Sequence, residues 1–597
     1  MTRKELVTRA VDLFSLILIL VGGSGCGSDE TTAPQEVGNI SGHVYLAWDT
    51  EPLDDVIMAC GGIGDTTSSD GAYALIGIPA GIQTLTAQRD DYESFTKSLI
   101  VKAGTTIIYD VFLEPTDSPW NIVRNTNDSG PGSLRDVILL ANENADLDSI
   151  HFCIPGPGPH VIYPDSGLPA ITDVVVIDGY TQPGSATANE SQPAILMIEL
   201  NGIDVSGIVP GITIGQDGGG STIRGLAIHN FLLGGIECSR SSDGNRIEGN
   251  YIGLGADGEC YRVFGRGNGL ADHYRETTSC TPAGHGISCY GSNNTVGGAT
   301  AAARNVISNN DGSGVHIEGA EAGANVVIGS FIGTDITGCS ALGNRGRGVR
   351  ILNASDNTVG GDVPERRNVV SGNLGNGIGL SAEGGTCAAN AIIGNYVGVS
   401  AGEAALPNGN HGMALTDALD NTIGGEGEDS GNTIAYNAGA GIYVNSRSSG
   451  NALLANAVFS NGELGIDLEP CGVTANDEQD QDTGANTLQN YPTIRSAFLD
   501  TSGMVTVSGE LSSTPNTQFL IQLFWSAEVD QSGYGEGELL VGELTVTTDE
   551  TGATTFSEAF LVEGISTQGV ISSTATDPMN NTSEFSSVVP LDTSRNW

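Results

Sequence analysis

A short pattern returning between residues 286 and 468 limits the possible folds most: Gly, apolar, any residue, apolar. It reads Gly286-Ile287-Ser288-Cys289, Gly314-Val315-His316-Ile317, Gly348-Val349-Arg350-Ile351 and Gly377-Ile378-Gly379-Leu380. It continues as Gly412-Met413-Ala414-Leu415, Gly441-Ile442-Tyr443-Val444 and Gly465-Ile466-Asp467-Leu468, with an earlier copy at Gly235-Ile236-Glu237-Cys238. Steps from Gly286 to Gly348 to Gly412 are 62 and 64 residues; from Gly314 to Gly377 to Gly441 they are 63 and 64. The repeating unit is therefore a pair of unequal coils. Two Asn-led signals keep the same register. One is Asn294-Thr-Val-Gly-Gly, with copies at Asn357 and Asn421; the other is Asn305-Val-Ile-Ser, with copies at Asn368 and Asn432. A fixed period of this kind marks a repeat architecture.

Each apolar-x-apolar triplet suits a very short strand with two side chains facing in and one out. Gly and Asn tolerate the left-handed backbone that a sharp corner needs. One coil cannot bury its own apolar side, so coils must stack about 4.8 Å apart and share a core. Stacking puts Cys238, Cys289, Ile317, Ile351, Leu380, Leu415, Val444 and Leu468 in one inward column, and corner Asn side chains can form ladders. The pattern predicts a parallel β-solenoid. A leucine-rich horseshoe is the rival, but its Leu-Asn signature and helical half-repeat are missing.

The 597 residues include 86 glycines and 71 acidic against 23 basic side chains, a formal charge of −48. Such a surface argues against nucleic acid, and against anionic lipid or polyanionic sugar unless divalent cations or salt intervene. Solubility is the plain explanation of the acidity.

Residues 1–25 read as an export signal: Arg3, Lys4 and Arg9 precede an apolar core at residues 13–21, too short to span a bilayer. Gly23-Ser24-Gly25-Cys26 resembles a bacterial lipobox, which implies diacylation of Cys26, anchoring at a cell surface or outer membrane, and no other membrane contact. A Leu is expected where Gly23 stands, so ordinary cleavage and secretion is the alternative. Ten cysteines then face an oxidising compartment. Cys260 and Cys280, bracketing an insertion, are the best disulfide candidates; Cys238 and Cys289 read as small core residues.

A tether at residues 26–38 leads to a β unit at 39–115, where alternating apolar residues between Gly turns predict a small antiparallel sandwich. Its Ser69-Asp70-Gly71-Ala-Tyr73 and Ile78-Pro79-Ala80-Gly81 stretches resemble the regulatory-type domain found beside carboxypeptidases. No zinc-binding His/Glu set accompanies it. Ser133 can cap an amphipathic helix near 133–142 that would cover the first coil. That stretch, with Leu168-Pro169 and Ile177-Asp178-Gly179-Tyr180-Thr181-Gln182-Pro183-Gly184, resembles the start of bacterial surface right-handed parallel β-helix repeat proteins, a likeness running through residues 116–490. Residues 491–597 alternate again and resemble an immunoglobulin-like sandwich. The expected fold is all-β: a right-handed parallel β-helix flanked by two small antiparallel sandwiches.

The phase of the repeat assigns outward positions to the second and fourth residues after each Gly. Tyr290, His316, Glu318 and Arg350 should then cluster on neighbouring rungs of a solvent-facing sheet, within about 10 Å, with Glu237 nearby. An acid, an Arg, a His and an aromatic on one face could grip a sugar and move a proton. Glu237 and Glu318, two rungs apart, have about the separation of an inverting glycosidase pair. A charged sheet with chance neighbours is the plain alternative. Gly284-His285-Gly286 resembles the Gly-His-Gly of polygalacturonases, but their other sequence blocks are absent, and Arg347 and His411 occupy the same corner in later copies. Asp477, Asp480 and Asp482 precede Gly484 with the alternation that can wrap calcium, although the distal Glu of an EF-hand loop is absent. The expected function is that of a monomeric surface lipoprotein presenting a β-helix face to a polysaccharide or a partner protein. A glycoside hydrolase or polysaccharide lyase, and a passive stalk, are the alternatives.

Overall fold

The computed structural model describes residues 36–46, 52–116, 120–144, 147–259, 284–425, 427, 429–562 and 564–593. Cys26, Cys260 and Cys280 lie outside them. The chain divides into two compact units, 1–118 and 119–597.

In the first unit, two four-stranded sheets enclose a core that includes Ile40, Val44, Leu75 and Leu85. Pairing is antiparallel, except that Thr106–Ile108 and Val111–Leu113 run parallel to Val37–Leu46.

The second unit is a parallel β-helix closed at one end by an antiparallel sandwich. Three parallel sheets run along the helix among the described residues. The first has eleven strands, from Ile122–Val123 to Ala452–Leu454; the second has ten, from His160–Ile162 to Ala457–Phe459. The third has nine, from Pro210–Ile214 to Ile466–Leu468, and carries the Gly-led pattern. Its register pairs Cys238, Cys289, Ile317, Ile351, Leu380, Leu415, Val444 and Leu468 in succession, so the inward column forms. One continuous core follows. At its start, helix Leu134–Ala141 is capped by Ser133, whose Oγ accepts from the Asp136 N–H at 3.2 Å, and buries Leu134, Val137, Ile138 and Ala141.

Corners are held by side-chain ladders. From Asn245 through Asn294, Asn325, Asn357, Asn390, Asn421 and Asn451 to Asn486, each Nδ2 donates to the next Oδ1 at 2.8–3.3 Å. Each backbone N–H in this series donates to the same next oxygen. A second ladder uses Asn368, Asn395, Asn432 and Asn456. A third, missing from the sequence reading, uses Asn310, Asn344, Asn373, Asn408, Asn437 and Asn461. Buried amides cost free energy unless paired, and here each is paired along the axis. Gly360 shows what the turn demands: φ is +88°, and a Cβ there would strike the Ile393 carbonyl of the next coil.

The far end of the helix leaves strand N–H groups that a further coil would have satisfied. Seven strands within 493–592 fold over it, two layers sharing Val589–Asp592 around Val507, Phe519 and Ile571. Their side chains supply the acceptors. Asn581 accepts from the Gly450 N–H, Thr582 from Leu453 and Gln522 from Ala455. Glu536 accepts from Ser460 and Asn461, and Glu584 from Leu468 and Thr474. An edge that would otherwise template aggregation is thereby paired.

Candidate functional site

The outer face of the third sheet carries the residues singled out by phase. Register places Glu237, Ser288, His316 and Arg350 on four successive strands. Tyr290 lies edge-on to His316, with ring centroids 6.2 Å apart. Glu318 accepts from His316 at 2.9 Å, Nε2 to Oε2. Arg350 reaches one strand further and pairs with Glu383 at 2.9 Å.

The face differs from the expected solvent-facing sheet in one respect. His316 is 2% exposed, and Ser288 and Ser381 are buried as well. The cause is a corner residue that folds over the next rung. His285 stacks on His316 with centroids 4.1 Å apart, and its Nδ1 accepts from the Ser313 N–H at 2.9 Å. His411 repeats the arrangement, stacking on Tyr443 at 5.0 Å while its Nδ1 accepts from the Ala440 N–H. Arg347, at the equivalent corner, lies against Gly379. A ring whose Nδ1 accepts carries its proton on Nε2. His285 is thus a corner-locking residue, and its Gly-His-Gly setting is structural.

Burial sets the charge states. It pushes His285 well below the ordinary imidazole range, with help from His316 and Arg350, and pushes His316 down too. The His316 hydrogen bond holds Glu318 below the usual carboxylate range despite burial, with Arg350 and Arg240 adding to it. So a neutral His316 donates Nε2–H to an ionised Glu318. Its Nδ1 is left buried with no hydrogen-bond partner, as is Arg350 Nε. Burial raises Glu237, and burial with the Glu237 charge raises Tyr290. Two carboxyls about two rungs (~10 Å) apart are therefore driven in opposite directions.

At the distal end, carboxylate oxygens of Asp477, Asp480 and Asp482 lie within 4.8 Å of one another. Burial, with the neighbouring carboxylates, pushes Asp480 up to about 6 and raises Asp482. Asp480 also accepts from the Asn490 N–H and from Ser513.

Two features escaped the sequence reading. One is a buried His229–Glu199 pair, 2.8 Å apart, whose second Glu199 oxygen accepts from the Ala256 N–H at 3.1 Å and pins that loop. The other is a pair of arginines, Arg304 and Arg367, each preceding a corner Asn of the second sheet. Their signal is the repeated Arg-Asn-Val-x-Ser at 304–308 and 367–371.

Residues 273–469, less than half of the chain, match the family model described as periplasmic copper-binding protein (NosD). No curated protein matches the chain. Among solved structures, it is similar to the enzymatically active domain of bacteriophage CBA120 tailspike protein 2, at 11% identity and TM-score 0.28, covering 78% of this chain and 76% of that one. It is also similar to the A-module of the Azotobacter vinelandii mannuronan C-5 epimerase AlgE6, at 13% identity and TM-score 0.31, covering 58% and 87%. Likeness at this level says nothing of substrate or activity. The stretch matched by the NosD model includes Tyr290, His316, Glu318 and Arg350 and leaves out Glu237.

Proposed function

We propose that this is an exported surface protein that binds a glycan along the outer face of its β-helix. Glu237, Tyr290, Glu318 and Arg350 form the contact site, and the buried His316 positions Glu318. The observation that carries this reading is Glu318, an ionised carboxylate 36% exposed and held by the buried His316, with Tyr290 and Arg350 on adjoining rungs. A carboxylate with an open edge accepts hydrogen bonds from sugar hydroxyls. The basic start of the chain and the periplasmic family matched at 273–469 support export, and Cys26 is the proposed lipid attachment site. No helix among the described residues is long and apolar enough to cross a membrane. Among the described residues, Asp477, Asp480 and Asp482 form the one grouping of three or more potential ligands, and hard oxygens suit calcium where copper favours nitrogen and sulfur.

The test incubates the chain from residue 27 onward with a polysaccharide panel, with and without calcium, and records retention. Glu318→Ala with Arg350→Ala should abolish retention on the polymer the wild type holds. Unchanged retention would remove the face from consideration, and binding to a surface protein in place of any polymer would replace the glycan.

A second reading, a polysaccharide hydrolase or lyase at the same face, is favoured by one observation: Glu237 is pushed up while Glu318 is held down. That separation is how paired carboxyls divide acid and base roles. New reducing ends or unsaturated products, lost in Glu237→Gln, would establish it. Absence of any product from the whole panel would leave binding alone.

A further inference from the structure

A second recess lies on a different sheet. Along the outside of the second sheet, Tyr251, Val306, Phe331, Val369 and Tyr396 follow one another in register. They form an apolar strip that Leu196 and Leu254 extend. Over it opens a cleft of about 490 Å³, within the range of small-ligand sites.

Its cations are built in a repeated way. The Arg304 guanidinium carbon sits 4.4 Å from the centre of the Phe331 ring, and that of Arg367 sits 4.3 Å from Tyr396. Phe331 and Tyr396 are two rungs apart, about 10 Å. Arg367 Nε donates to the Gly394 carbonyl at 3.1 Å and Nη1 to the Tyr396 hydroxyl at 3.0 Å, which itself donates to Glu403 at 2.9 Å. Arg304 Nε is buried with no partner.

Among the described residues neither guanidinium is in an ion pair. Glu190 and Glu403 line the same cleft: Glu190 acts on Arg304 through space and Glu403 accepts from the Tyr396 hydroxyl, without either making an ion pair with a guanidinium. Two planar cations, each fixed on an aromatic face, are suited to bidentate recognition of carboxylates. The remaining wall offers Asn189, Gln192 and Thr337, which match sugar hydroxyls, together with the carboxylates Glu190 and Glu403, which would have to face sugar hydroxyls and not the carboxylates of the ligand. At about 0.15 M salt the Debye length is about 8 Å, so acidic groups farther off are screened, while Glu190 and Glu403 in the wall are not.

We infer that this cleft binds an acidic glycan, a polymer with carboxylates on its sugars, through Arg304 and Arg367. The inference extends the glycan-binding reading to a ligand class, but it uses residues separate from the third-sheet face, and either can fail alone.

The experiment measures binding of galacturonate oligomers to the chain from residue 27 onward by calorimetry at physiological salt. Parallel arms use neutral glucose oligomers, inorganic phosphate and poly-glutamate. Wild type should bind the uronate oligomer in preference to all three. Arg304→Ala with Arg367→Ala should weaken it by at least about tenfold, at unchanged melting temperature. Arg304→Lys with Arg367→Lys, which keeps the charge but loses the fork, should recover only part. Arg495→Ala, at an exposed arginine outside both sites, should leave this affinity unchanged. Equal binding of neutral oligomers, of phosphate or of poly-glutamate would overturn the inference. So would no binding by wild type, or full binding by the double Ala variant. Loss of uronate binding on Glu318→Ala with Arg350→Ala alone would place the ligand at the third-sheet face instead.

Discussion

Glu584 offers a decisive perturbation because it replaces a missing coil. The side chain is 3% exposed, and its two oxygens accept from the Leu468 N–H at 3.0 Å and the Thr474 N–H at 2.9 Å. Burial, with Asp467 nearby, pushes its pKa up from 4.5 to about 7, against the pull of the two N–H groups. A carboxyl with a raised folded pKa contributes fully below its unfolded value, and the contribution is lost as pH rises through the folded one. Stability should therefore fall between about pH 4.5 and pH 7, by on the order of 3 kcal/mol from this group. Glu584→Gln removes the titration but faces two N–H donors with one oxygen, costing about 1–3 kcal/mol. The variant should be clearly less stable than wild type at pH 5 and close to it, or more stable, at pH 8. Urea midpoints at both values measure the difference, and amide exchange at Leu468 and Thr474 localises it. A gap between wild type and variant that stays constant from pH 5 to pH 8 would refute the reasoning.

Three further outcomes follow from the same kind of accounting. Asn357→Ala takes away the acceptor for both the Nδ2 and the backbone N–H of Asn325, so it should cost at least about 2 kcal/mol, measured by thermal melting. Calcium should raise the melting temperature through Asp477, Asp480 and Asp482, and less so below the Asp480 pKa of about 6, where a proton must be displaced; no shift at any pH would sink the site. Native alkylation followed by peptide mapping should modify the exposed Cys339 and Cys471 and spare the buried Cys60, Cys238, Cys289 and Cys387.

Order along the axis was legible in the sequence because a solenoid makes it one-dimensional. Once Gly286, Gly314 and Gly348 are aligned, the partner of every strand residue follows, and the inward column from Cys238 to Leu468 needed nothing else. The same arithmetic brought Tyr290, His316, Glu318 and Arg350 together. It could not show that His316 is buried, because that depends on whether the corner side chain at His285 turns back over the next rung or points away. The third ladder was hidden for a related reason: Asn310, Asn344 and Asn373 occupy the turn before each Gly, where the flanking residues change from copy to copy.

The cleft at Arg304 and Arg367 was harder still. Its floor obeys the repeat, but its walls come from segments near residues 189–193, 336–337 and 401–403, whose positions depend on departures from the period. Apolar-in, polar-out alternation is enforced by the core and recurs in every coil, so it says little about what one coil does. A planar cation seated on Phe331, and another on Tyr396 two rungs along, requires Arg before the corner Asn and an aromatic on the following rung. The core requires neither. Residues that recur without being needed by the stack are therefore where a repeat protein's chemistry should be sought, and Arg-Asn-Val-x-Ser meets that criterion more fully than the Gly-led pattern that builds the fold.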